Sequence, residues 1–114
     1  MAQRLPKQIA AGAQLTTSAA TYYTVPANTL TTISACSLCN STATARYVTM
    51  YLVPNGGSAG VTNVVLSQRV IAAGETYNVS AVIGQTIPAG ATLQALAEAA
   101  TAITLVASGY ETNP

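Results

Sequence analysis

The chain has no histidine, aspartate, tryptophan or phenylalanine, and charged residues fill only 6% of its 114 positions. Ordinary soluble domains carry roughly 25%. Catalysis needs a titratable group that moves a proton near neutral pH, and histidine is the usual one. What remains is Glu75, Glu98 and Glu111, each alone in its segment, with Cys36 and Cys39. Serine and threonine are plentiful but have no adjacent base to activate them. Gly56, Gly57 and Gly60 are not followed by the Lys-Ser/Thr of a phosphate loop. These absences argue against an enzyme and for a protein that works through its surface. No catalytic, cofactor-binding or metal site is expected.

Charge of either sign is too scarce to steer a charged partner. The net charge is +1, so no footprint for nucleic acid exists. Arg4 and Lys7 lie close together near the N-terminus, where the bland reading is a solubilising tail. The alanine-rich stretch from Ala89 to Ala107 is broken by Thr, Gln and Glu98 and falls short of the roughly 18 apolar residues of a membrane span. No membrane partner is expected. The first residues lack the apolar run of a secretory signal, so synthesis in a cytoplasm is expected. In that setting the acceptor patterns Asn40-Ser41-Thr42 and Asn78-Val79-Ser80 read as chance.

What the chain does have is β-branched residues in short alternating runs, divided by Gly, Pro and Asn. The pattern predicts strands at Leu30 to Asn40, Ala45 to Val53, Val64 to Ile71 and Thr76 to Val82. In the second of these, Val48, Met50 and Leu52 share one face, and Tyr47, Thr49, Tyr51 and Val53 the other. Ala91 to Ala102 has high helix propensity. Two strands, Thr92 to Ala97 and Ile103 to Gly109, joined at Glu98 to Thr101, remain the preferred reading, with a short helix as the alternative. Turn chemistry recurs at Val25-Pro26-Ala27-Asn28, Ala72-Ala73-Gly74 and Pro88-Ala89-Gly90. Together these features predict an all-β single domain, an antiparallel β-sandwich, Ig-like or jelly-roll, of about seven or eight short strands. Residues 1–14 carry little strand pattern and are expected as an N-terminal arm reaching a neighbouring subunit; residues 15–114 form the domain.

Cys36-Ser37-Leu38-Cys39 is the one chemical motif. Zinc would need two more ligands, and the chain has no third Cys and no His. On a strand, residues three apart point to opposite faces, so two separate buried or half-buried thiols are expected. The tyrosines matter more. Tyrosine combines large contact area with a polar tip and is enriched at protein interfaces. The expected interface residues are Tyr22, Tyr23, Tyr47, Tyr51 and Tyr77, together with Arg4 and Lys7; one or two tyrosines could instead complete the core of a chain without phenylalanine.

From about Leu15 to Tyr110 the sequence resembles a group of small tailed-phage virion structural proteins. The likeness is carried by Tyr23-Thr24-Val25-Pro26-Ala27, by Cys39-Asn40-Ser41-Thr42 leading into Tyr47-Val48-Thr49-Met50-Tyr51-Leu52-Val53-Pro54, by Ala73-Gly74-Glu75-Thr76, and by Pro88-Ala89-Gly90-Ala91-Thr92-Leu93-Gln94-Ala95. The chain is similar in size to head decoration (cement) proteins of that group. The resemblance implies a homo-oligomer, with a trimer the expected number, on the outer head of a bacteriophage, bound to the major capsid protein and stabilising contacts between capsomers. A tail or fibre component is one alternative, and a carbohydrate-binding β-sandwich for host adhesion is another.

Overall fold

The computed structural model describes residues 3–113. Within them the regular elements are all strands: β1 (Gln3–Gln14), β2 (Ala20–Thr24), β3 (Leu30–Asn40), β4 (Arg46–Val53), β5 (Val64–Ile71), β6 (Thr76–Asn78), β7 (Thr86–Ile87), β8 (Thr92–Ala97) and β9 (Ile103–Asn113). They form two antiparallel sheets. Sheet A has the order β1-β9-β3-β6, with β7 also on β3, and sheet B the order β2-β8-β4-β5.

This order selects between the two expected sandwiches. First pairs with last (β1 with β9), second with second-last (β2 with β8), and β3 with β7, so the chain is one long antiparallel ribbon. Folding the ribbon over adds the β9–β3 and β8–β4 contacts and divides it into two sheets. That is a jelly roll. The sheets close on Leu15, Ile33, Leu38, Met50, Ile71, Leu93, Ile103 and Leu105, all fully buried. Each such side chain contributes roughly 1.5–3 kcal/mol by leaving water. Ala95, Ala97 and Ala107 sit between them on the central strands.

The helix-prone segment is strand β8. Leu93, Ala95 and Ala97 are buried, and Thr92, Gln94 and Leu96 are half-buried outside, so pairing on both sides overrides its local preference. The preferred strand reading therefore holds there, and three expectations elsewhere are corrected. Over residues 3–14 the arm is an edge strand of sheet A, paired with β9 from Gln3↔Asn113 to Gln14↔Thr104, with Ile9 and Ala10 buried. Its alternation is hidden by register shifts at Gln8/Ala10 and Ala11/Ala13 and by Pro6 and Gly12. Residues 1 and 2, the rest of that arm, lie outside the described residues, as does Pro114. The strand expected to run to Val82 stops at Asn78. Val79 N–H still donates to the Cys36 carbonyl at 3.0 Å; the chain then leaves the ladder, placing Val79 and Val82 wholly in the core, and rejoins β3 through Gly84 N–H, which donates to the Ile33 carbonyl at 2.7 Å. Finally, β9 continues past Gly109 to Asn113.

At the end of β3, Asn40 is fully buried and fully bonded. Its Nδ2 donates to the Thr44 and Ile71 carbonyls, both at 2.9 Å, and its Oδ1 accepts from Thr42 N–H at 3.0 Å and Thr42 Oγ1 at 2.6 Å. The side chain fastens the β3–β4 turn to the end of β5.

Candidate interaction surfaces

The seven residues singled out in the sequence do not gather into one patch. Arg4 and Lys7 are exposed on β1. The Arg4 guanidinium lies over the Tyr110 ring, 4.2 Å from its centroid, a cation–π contact across the β1–β9 pair. Tyr47 and Tyr51 are half-buried on β4, on the outward side of sheet B, where Tyr51 lies beside Gln94 and Tyr47 beside Val70. Tyr22 and Tyr77 are half-buried and pack against the core. The Tyr22 hydroxyl accepts from Thr16 N–H at 3.3 Å. Arg69 of β5 stacks on Tyr77 of β6 at 4.4 Å, tying an edge of sheet B to an edge of sheet A.

Tyr23 belongs to the interior. It is 9% exposed, and its hydroxyl meets Thr31 Oγ1 at 2.7 Å and donates to Glu111 Oε2 at 2.5 Å. Burial first, and then the bond to Glu111, push its pKa up to about 12. A register shift between Thr21 and Tyr23 turns this ring inward, which the sequence does not announce. Cys36 is buried and Cys39 half-buried, both as free thiols, and burial pushes the Cys36 thiol up to about 11. Both shifts move away from neutrality. Among the described residues no three His, Cys, Asp or Glu side chains cluster as a metal site would require.

Two shallow depressions mark the outer faces. On sheet A, one of about 380 Å³ lies over Ser108 and Gly109, rimmed by Pro6, Lys7, Gln8 and Tyr110. It exists because Ser34, Ser108 and Gly109 are small. On sheet B, one of about 190 Å³ is lined by Tyr51, Thr49, Ser67, Gln68 and neighbours. Gln68 holds a left-handed backbone there (φ 47°), and its N–H donates to Thr49 Oγ1 at 3.1 Å. Tyr110, Val106 and Val70 belong to these faces and went unremarked in the sequence. Val106 and Val70 would have been found by asking which outward strand positions are large and apolar.

No family model matches the chain, and no curated protein matches it. Among solved structures, one chain from the structure of infectious bursal disease virus, Gx strain, shares its fold with a TM-score of 0.50 and 16% identity. The match covers 98% of this chain and 32% of that one, so this chain spans about a third of its length. Identity at that level speaks for the fold alone.

Proposed function

We propose that this chain is a non-enzymatic virion structural protein, and more specifically a decoration protein that binds the outer head of a bacteriophage as a homo-oligomer and stabilises contacts between capsomers. The observation that carries the reading is a jelly roll whose two outward faces are almost free of charge. Jelly rolls recur in viral capsid domains, and a virus supplies a structural neighbour. Burying an unpaired charge is costly, whereas burying Thr, Ser, Ala and Tyr costs far less. A subunit surfaced in this way can be covered by neighbours on several sides. Many modest contacts then add through multivalency.

The test is to mix the purified protein with capsids lacking it and image the particles. Density on the outer head supports decoration. Density confined to the tail moves the chain to a tail or fibre role, and bare particles overturn the virion reading.

One observation favours a second reading, a neutral-glycan binder for host adhesion. The depression beside Tyr51 combines an aromatic ring with the Gln68 amide and the Thr49 and Ser67 hydroxyls, and lectins also use jelly rolls. A glycan array without hits removes it.

A further inference from the structure

We infer that the outer face of sheet A is a docking face for a second copy of this chain. The face is long. β3 and β9 have eleven residues and β1 has twelve, flanked by β6 and β7. At ~3.3 Å per residue and ~4.8 Å between strands, this platform covers about 600 Å². That reaches the lower end of the roughly 600–1,000 Å² one partner contributes to a specific interface.

Its chemistry narrows the occupant. The outward rows run across three strands, for example Gln8–Ser108–Ala35 and Gln14–Thr104–Cys39. In these rows Arg4 alone is charged; it sits at one end, already stacked on Tyr110. Lys7 flanks the face one row off, at the β1 edge. A charged partner would lose water against hydroxyls and methyl groups without gaining a counter-charge. The partner must itself offer a neutral face of similar extent, and this platform is one. Its small side chains allow a second sheet to approach to the ~10 Å of face-to-face packing, while Val106, 42% exposed, supplies apolar contact at the centre.

The edge points the same way. Pro6, two register shifts and Gly12 at φ 105° interrupt β1, features that stop another strand from adding alongside. At the other edge β6 and β7 are only three and two residues long, too short to template a partner strand, so copies meeting through sheet A meet face to face.

The inference rests on the proposed function only in reading the chain as a contact protein, and it is tested without particles. Sedimentation of the purified chain across a concentration series reports association. Iodoacetamide labelling, mapped by peptide mass, reports on Cys39, which lies on this face, against the buried Cys36. Association with at least tenfold slower labelling of Cys39 is expected. Val106→Lys and Ala11→Lys, both at exposed positions, should give folded monomers by circular dichroism with fast Cys39 labelling. Val70→Lys, on sheet B, should associate like wild type. A chain monomeric throughout, association that leaves Cys39 freely labelled, or association unchanged in both sheet A variants overturns the inference. Particle binding by a chain that stays monomeric would overturn it, and the homo-oligomer with it, while sparing the virion structural role; association without particle binding would do the reverse.

Discussion

Tyr23 on β2 donates its phenolic proton to Glu111 on β9, a bond between the two sheets of residues 88 apart in sequence. Thr31 Oγ1 completes the site. Removing the hydroxyl leaves a half-buried carboxylate without this donor and Thr31 without its partner. Tyr23→Phe should therefore lose about 1–2 kcal/mol. The pH dependence follows from the direction of the shift. The phenol titrates near 10 in the unfolded chain and at about 12 in the fold. Its contribution is complete below pH 10 and disappears as pH rises through 12, because the unfolded state then gains by ionising. Urea unfolding at pH 7 and 11 checks this: the wild type should weaken between the two by more than Tyr23→Phe does. Equal losses would show that the phenol is not held neutral.

Cys36 follows the same sign at lower pH. Its thiol is buried, and its pKa rises from 9.0 to about 11. The neutral form belongs to the fold and the thiolate to the unfolded chain, so its contribution is complete below pH 9 and lost as pH rises through 11. Cys36→Ala should flatten the part of the stability profile that begins to fall near pH 9. In dilute protein at pH 8, labelling should be fast at Cys39 and limited by unfolding at Cys36.

The parts of this fold legible in the sequence are those decided by neighbours along the chain. Leu30 to Asn40 and Val64 to Ile71 match their observed strands end for end, because β-branched residues and flanking turn residues agree there; Thr92 to Ala97 matches too, although there strand pairing overrides helix propensity. β1 was illegible because its bulges put adjacent Ile9 and Ala10 both inside. The interior role of Tyr23 was hidden for another reason: its partner Glu111 comes from the far end of the chain. The outward faces were half legible. Scarcity of charge implies neutral surface somewhere, but only the register places Arg4, Ser108, Val106 and Cys39 on one side of one sheet.

Asn40 gives the strongest single-residue prediction at the β3–β4 turn. It satisfies two carbonyls and accepts two bonds from Thr42 while fully buried. Asn40→Ala leaves those groups unpaired in a dry site, and each buried unsatisfied group costs about 1–3 kcal/mol. A loss of roughly 3 kcal/mol is expected. Asn40→Asp should be no better, because an acceptor then faces the Thr44 and Ile71 carbonyls where a donor is required. Denaturant melts of both variants check this, and a near-neutral Asn40→Asp would mean that water replaces the amide.

Gly109 is the position where backbone meets backbone. A Cβ there would lie 2.1 Å from the Thr32 carbonyl oxygen and 3.0 Å from Ile33 Cα. Neither atom belongs to a flexible side chain, and both sit beside the register shift that lets β3 run along β9. The clash can be relieved only by separating the two central strands of sheet A. Gly109→Ala should therefore cost about 3 kcal/mol or more, on the order of 15 °C in Tm for a domain of this size. Gly60→Ala is the control: its added methyl meets nothing closer than the Ser58 carbonyl oxygen at 4.0 Å, and its change should stay within about 0.5 kcal/mol. Thermal melts in which the two variants unfold together would contradict the close β3–β9 approach that forms the floor of the sheet A depression.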